Sequence, residues 1–547
     1  MRATRAGLAA LLLLPLVAAA NESGQVILQS GEPAGSTPVH DRGIFGQGEI
    51  VAVLDTGLDW DSCYFAEPDG SMPPVNLSIV GREVNPFRRK VIAYDFLYSC
   101  AEYPFSPGCE APADPAAWDN QGHGTHAAAG VAADKGAPLL HDFADGIASG
   151  AKLVIQDGGY IGGDDCTSRP GFGCPLRDLG PVLQQAWEQG ARIHVNSWGD
   201  RQGTPQKQAP PTGNYTRSTA EIDTFVVAHP EMVVVFNSGN AGSTLGTGSV
   251  SSPGVAKNTI QVGGAEISGA GLIVVGYSGT GPTKDGRIKP DFVGPVNVTG
   301  ADTDNDSDTA NCDASLQDGT SFSSPPVAGA AALVRQYYRE GWYPSGLPRL
   351  GDAMTPGAAL IKATLMASAI RVPRWISPTG LVQTGALPSY EQGFGFPVLD
   401  NALYFAGDER TLFADQRDGE QALGEGDIAR FHFDVSSTQS LKVALAWTDP
   451  PGDPTSSSSE SKLMNDLDLV VRAPDGSIRY GNESLHPGEP DRRNNAELVD
   501  VSQPDAGAWT VEVSAAEIRS GLAQGFALVV VGDTVPRTAP RRRPVRR

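Results

Sequence analysis

Five short apolar runs, separated by helical patterns, constrain this chain more than any other feature. They are EIVAVLD (49–55), KLVIQ (from Lys152), ARIHVNS (from Ala191), MVVVFNSGN (from Met232) and NTIQVGG (from Asn258). All are rich in β-branched residues and none shows clean polar alternation. A strand with one wet face alternates, whereas a strand covered on both faces reads as one apolar run. Between them lie HGTHAAAGVAA, LRDLGPVLQQAWEQ and EIDTFVVAH, which have helical character. The alternation predicts an α/β fold with a mostly parallel sheet and helices on both faces.

The pattern changes near residue 410. ARFHFDV, LKVALAWTD, DLDLVVRAPDG, AWTVEVSAA and GFALVVVGD are short strands with turn residues between them. They predict a separate all-β domain, a sandwich or jelly roll. With 547 residues the chain is long enough for both units. The expected division is 1–20 signal peptide, 21–40 short N-terminal segment, 41–408 α/β domain, 409–534 β-sandwich and 535–547 basic Pro/Arg tail.

The signal peptide is read from Arg2 and Arg5, the Ala/Leu run behind them, and Ala18-Ala19-Ala20. The apolar stretch falls short of the roughly 20 residues a membrane span needs. Export fits the six cysteines, which suit an oxidising compartment. Six cysteines allow about 15 pairings, and sequence alone does not choose. Local Cys100–Cys109 and Cys166–Cys174 clips would leave Cys63 and Cys312 as a long-range pair. The formal net charge of −22 argues against nucleic acid and anionic lipid surfaces as partners. A monomer is expected.

Three polar residues mark a site. Asp55 ends the first apolar run, and carboxyl ends of strands face the ligand crevice of an open α/β sheet. His123 opens a helical run of small residues. With His126 it also has the spacing of a metal-ligand pair, but no further ligands are evident. Ser321 lies in QDGTSFSSPPVAG (317–329), where a turn enters a helix. A helix N-terminus favours negative charge. Pro325 and Pro326 are expected in the first turn, where N–H groups have no helical partner.

In this order DTGLD, NQGHGTHAAAG and GTSFSSP resemble the subtilisin-like serine proteases. NSGNAG (237–242) is similar to the family's oxyanion-hole segment, and NSWG (196–199) to a wall of its substrate cleft. The resemblance implies Ser321 as nucleophile, His123 as general base, Asp55 orienting it and Asn240 as oxyanion donor. It implies Ser197, Trp198 and Gly199 as substrate-binding residues, and protein or peptide substrates. Many subtilisins carry methionine after the nucleophile, where this chain has Phe322.

GPTKDGRIKPD, LMNDLDLVVRAPDG, RRNNAELV and GFALVVVGD resemble the alkaline, oxidation-stable KP-43-like branch, which adds a jelly roll. The match runs over residues 40–533. It implies endopeptidase activity and structural calcium, with no organic cofactor. Asp466 and Asp468 alternate on a strand and share a face. With Asp449 and Asn465 they are the expected Ca²⁺ ligands, since hard oxygen donors suit that ion. DTDNDSD (302–308) has EF-hand-like spacing but Ser307 at the mid-loop glycine position and Asp313 at the final glutamate position.

The chain departs from the family in SGTGP (278–282), in DFVGPVN, and in the short segment where a large propeptide is usual. A catalytically silent or narrowly specific processing protein, attached through the β domain, is the alternative function.

Overall fold

A computed structural model describes residues 26–32, 35–97, 101, 118–119, 122–136, 144–158, 178–199, 212–268, 271–304, 306 and 309–537. The apolar start, Cys100, Cys109, Cys166, Cys174 and the tail beyond 537 lie outside the described residues.

The first part of the chain builds one large sheet. Its strands are β1 (Ile50–Asp55), β2 (Val75–Asn76), β3 (Val91–Phe96), β4 (Lys152–Asp157), β5 (Ile193–Asn196) and β6 (Val233–Asn237). They continue with β7 (Thr259–Ser268), β8 (Gly271–Val274) and β9 (Phe292–Pro295). A separate antiparallel pair, β10 (Val298–Ala301) and β11 (Ala314–Gln317), precedes the closing hairpin β12 (Arg374–Ser377) and β13 (Gly380–Gln383). The order is β13-β12-β8-β7-β6-β5-β1-β4-β3-β2, with β9 also on β7. From β2 to β7 every pairing is parallel. The antiparallel steps lie at β7–β8 and β12–β13. The central runs are apolar throughout because both faces are covered; every residue of β5 and β6 is buried.

The longer helices are α1 (His123–Ala132), α2 (Leu179–Glu188), α3 (Arg217–Ala228), α4 (Thr320–Arg339) and α5 (Ala358–Ser368). Helix α4 packs on β5, β6, β7 and β9 and crosses α1. From Thr320 to Tyr338 each of its residues is buried. Because α4 begins at Thr320, Pro325 and Pro326 lie beyond the first turn, contrary to the expectation above. Each lacks the N–H that an interior residue donates four residues back. The carbonyls of Ser321 and Phe322 therefore lose their usual helical donors. The two rings instead pack against Gly130 of α1, where a Cβ would sit 3.1 Å from Pro325 Cβ.

From residue 411 the chain is β-rich. Strands β14 (Thr411–Arg417), β21 (Phe526–Gly532), β16 (Leu441–Ala446) and β19 (Ala496–Val501) form one sheet in that order. β18 (Ile478–Tyr480), β17 (Asn465–Arg472), β20 (Gly507–Ile518), β15 (Ile428–Val435) and β22 (Thr534–Pro536) form the other. Val443, Leu445, Leu528 and Val530 meet Leu467, Leu469, Val511 and Val513 in the core between them.

The two units are not separate in their packing. Ala444, Ala446, Ala527 and Val529, on the other face of the first sheet, join the large core of the α/β unit. Helix α5 lies on β16 and β21. GFALVVVGD reads as an unbroken apolar run because β21 is covered on both faces.

Cys63 and Cys312 are joined, with Cα atoms 5.2 Å apart and a sequence separation of 249. The bond ties the loop after β1 to the loop before β11. Beside it, Cys63 N donates to Asn311 O at 2.8 Å, and Asn311 Nδ2 donates to Asp59 Oδ2 at 2.8 Å. Burial, reinforced by the Asp59 carboxyl, pushes Asp61 from 3.8 up to about 8. Between those pH values the folded chain keeps a proton that the unfolded chain has released. This group's contribution to stability therefore falls as pH rises across that window. Asp61→Asn should raise the melting temperature near pH 9 and leave it almost unchanged near pH 4. A melting curve equally shifted at both values would contradict this.

Candidate active site

The sheet places the candidate residues at one edge. Asp55 is the last residue of β1, Ser197 follows β5, and Asn237 ends β6 with Asn240 three residues on. These are carboxyl ends of adjacent parallel strands, where open α/β sheets hold ligands. Helices α1 and α4 bring His123 and Ser321 to the same edge, each in its first turn.

Small residues make the approach possible. A Cβ on Gly124 would lie 2.2 Å from Gly57 O, so only glycine lets α1 close on the loop after β1. There His123 Nδ1 meets Asp55 Oδ1 at 2.6 Å, and Thr56 N donates to the same oxygen at 2.8 Å. Asp55 is buried. Burial alone pulls His123 down. The charge and hydrogen bond of Asp55, with the more distant charge of Asp119, outweigh it, so its pKa lies above the ordinary 6.5.

Asp119 is a residue that motif reading passed over. Its Oδ1 accepts from Thr56 Oγ1 at 3.0 Å and Gly122 N at 3.0 Å. Its Oδ2 accepts from Thr125 N at 2.9 Å and Thr125 Oγ1 at 2.7 Å. One buried carboxylate thus clamps the N-terminus of α1 to the loop that carries Asp55. A carboxylate at a helix N-terminus also meets the positive end of the helix dipole. The only sequence signal was its place four residues before His123.

Gly319, at φ 134°, turns the chain into α4, and the cap has no side-chain hydrogen bond. Asn240 Oδ1 instead accepts from Thr320 N at 3.0 Å and Thr320 Oγ1 at 2.8 Å. With its oxygen so engaged, the donor end of this amide is the end available to an incoming anion. Ser321 Oγ accepts a hydrogen bond from Asn237 Nδ2 at 3.2 Å. Asn237 too was missed, although it opens the quoted NSGNAG. Phe322 packs against both helix-α1 histidines, tilted 48° to the His123 ring at 5.0 Å and edge-on to the His126 ring at 4.6 Å. His126 Nε2 faces Ser315 O at 3.2 Å, and burial holds the imidazole neutral, down to about 4.

The expected substrate wall is partly turned inward. Ser197 and Trp198 are buried, with Ser197 Oγ 3.4 Å from Ser324 Oγ and Trp198 edge-on to Phe236 at 5.3 Å. Gly199 reaches the surface more than they do, and residues 200–211 lie outside the described residues.

The four residues nominated for calcium do not come together as a metal set. Asp449 pairs with Lys257 at full burial, and its Oδ1 accepts from Asn465 N at 2.7 Å. The Asn465 side chain is spent on Ser520 and Gln524. Asp466 and Asp468 do share a face, but Arg492 lies on both, at 2.7 and 2.5 Å. A guanidinium already occupies the place between the two carboxylates. Among the described residues no group of three or more His, Cys, Asp or Glu is arranged to hold a metal ion.

Comparison with known proteins gives a family. The model of the Subtilase family matches residues 46–396. Serine protease/ABC transporter B family protein tagA of Dictyostelium discoideum is 24% identical over 599 residues, covering 90% of this chain and 31% of its own length. Its relative tagD, from the same organism, is 24% identical over 544 residues, covering 78% and 28%. The chain thus spans about a third of the curated relatives it matches. Among solved structures, a serine protease of Aeromonas sobria is 16% identical, covering 93% of this chain and 94% of that one, with a TM-score of 0.43.

The charges around His123 can be tested without any substrate. Its ring titration, followed by NMR, should have a midpoint above 6.5. In Asp119→Asn the midpoint should fall, because a negative charge that favours the imidazolium is gone. A midpoint unmoved by that substitution would remove Asp119 from the electrostatics of the site.

Proposed function

The chain belongs to the subtilase family, and on that premise we propose that it is a secreted serine endopeptidase that hydrolyses peptide bonds through an acyl-enzyme on Ser321. The observation that carries this reading is the Asp55–His123 pair at 2.6 Å, with a buried Asp55 and a partly exposed His123, at the same sheet edge as Ser321 at the head of α4.

A serine hydroxyl is a weak nucleophile until a base takes its proton. Neutral His123 takes it as Oγ attacks the substrate carbonyl, then returns it to the leaving amine. Asp55, bonded to Nδ1, holds the tautomer in which Nε2 is the acceptor, and it stabilises the imidazolium. The oxyanion is received by Asn240 Nδ2 and the Ser321 N–H. One such donor lowers the barrier by about 3 kcal/mol. Water then attacks the acyl carbon, and the same base serves again.

Substrates are proteins or peptides, lying extended and adding a strand along the cleft. Export is supported by the apolar start and by the Cys63–Cys312 bond, which suits an oxidising compartment. Among the described residues no helix is long and apolar enough to cross a membrane. We read residues 41–408 as the catalytic unit of a monomer and 409–534 as a β unit docked on it. No step of the mechanism runs through a metal.

Purified protein should degrade casein, and a fluorophosphonate should block it. Ser321→Ala should fold normally and lose roughly a million-fold in kcat, the scale on which removing a triad serine acts. Ser323→Ala should lose far less. Near-normal turnover by Ser321→Ala would overturn the reading.

The residue after the nucleophile generates a second test. A methionine there would gain a polar oxygen on oxidation, and groups displaced by about 1 Å can cost on the order of 100-fold in rate. Phe322 has no such chemistry and is fixed between His123 and His126. Activity should survive peroxide, and Phe322→Met should become sensitive to it. Equal rates of loss for the two would refute a protective role.

A further inference from the structure

Asn237 is 4% exposed and ends the strand that runs beneath the nucleophile. Its Nδ2 donates to Ser321 Oγ at 3.2 Å. Its Oδ1 is buried with no hydrogen-bond partner. Leaving a buried amide oxygen unbonded costs stability. The side chain is therefore not placed to satisfy its own polar groups. What the placement does achieve is an N–H directed at the reacting oxygen.

We propose that Asn237 is a further catalytic residue, which directs the Ser321 hydroxyl proton toward His123 and stabilises charge on Oγ when that oxygen is attacking or leaving. The proposal rests on Ser321 being the nucleophile. An Oγ that accepts from Asn237 must point its own proton elsewhere, and His123 is the base that needs it. In acylation, Oγ gives this proton to His123 while its electron pair forms the bond to the carbonyl carbon. In deacylation, water adds to the acyl carbon and its proton passes to His123. The C–Oγ bond then breaks, its electron pair stays on Oγ, and His123 returns the proton there. An N–H bonded to Oγ opposes neither step and lowers the charge that Oγ must carry in both. Asn237 is thus complementary to Asn240, which serves the carbonyl oxygen.

The test compares Asn237→Ala with Asn237→Asp on an ester substrate, with folding of each variant checked by circular dichroism and melting. Asn237→Ala removes the donor and should lower kcat between about 10- and 100-fold, with KM little changed. Asn237→Asp keeps size and shape but can only accept. It draws the Ser321 proton away from His123 and adds negative charge, so it should lose more than Asn237→Ala. A packing role gives the opposite order, because the near-isosteric Asp fills the site and Ala leaves a void. An Asp variant at least as active as the Ala variant, or two variants equal to wild type, would overturn the proposal. Should the Asp variant fail to fold, Asn237→Leu replaces it. Loss equal to that of Ala supports the donor, and rescue by Leu overturns it. Ser321→Ala is run alongside: turnover surviving there would instead unseat the nucleophile itself.

Discussion

Helix α4 is the element on which the rest of the structure depends. A helix buried along almost its whole length must be covered on all sides, and its small residues set how closely its neighbours come. Ala330, Ala331 and Ala332 let it lie close in the core, and Gly130 admits α1 at the proline turn. Its far end carries charge inward as well. Arg335 meets Glu49 at 2.8 Å, just before β1, and Gln336 Oε1 accepts from Gly46 N at 2.6 Å. The helix is thus pinned at its C-terminal end to the start of the strand that carries Asp55. Ser321 at the other end is positioned by packing rather than by a flexible loop.

The β unit is held by the same logic. Lys257 and Asp449 form an ion pair with both side chains fully buried, and Lys257 Nζ also donates to Lys462 O at 2.8 Å. Asn258 exchanges hydrogen bonds with the backbone of Asp449, and its Oδ1 also receives Asn495 Nδ2 at 3.1 Å. Burial pushes the Asp449 carboxyl up, and Lys257 offsets only part of that. A buried pair of this kind adds little net stability. Its effect is on registration, since a docking shifted by one strand would leave two charges buried and unpaired. The apolar faces on α5 and β16 supply the attraction, and the ion pair fixes where it is satisfied.

The chain made its layers legible through period. Runs such as MVVVFN and KLVIQ became central strands because uninterrupted apolar character has no other economical use in an α/β unit. Asp55, His123 and Ser321 were legible because their local motifs each demand a particular backbone, and the fold brings Asp55 and His123 into direct contact. Three features were not legible. Asp119 acts through four donors, of which only Gly122 and Thr125 are near in sequence. Asn237 reaches a residue 84 positions away. The NDLDL carboxylates were correctly given one face, but their cation, Arg492, comes from a loop beyond β18 and nothing in the local pattern selects it over a metal. In each case the deciding partner is set by tertiary packing. The reading of Pro325 and Pro326 failed for a different reason: it assumed a later helix start, whereas Asn240 accepts from Thr320 N and so supports the helix from that residue.

The corner beside Asp55 shows how such a site can carry unfavourable terms. Asp59 and Asp61 are both held above the ordinary carboxylate range, chiefly by burial, and the nearby charge of Asp304 adds to the rise. The Cys63–Cys312 bond ties the two loops covalently, and a cross-link over so long a loop stabilises by roughly 2–4 kcal/mol through the unfolded chain. Asn311, beside that bond, accepts from Cys63 N and donates to Asp59. The same loop leads through β11 to Gly319 and Ser321. The cross-link therefore joins the approach to Asp55 with the approach to Ser321. The unfavourable burial of these carboxyls thus sits beside a bond that fixes the two halves of the site against each other.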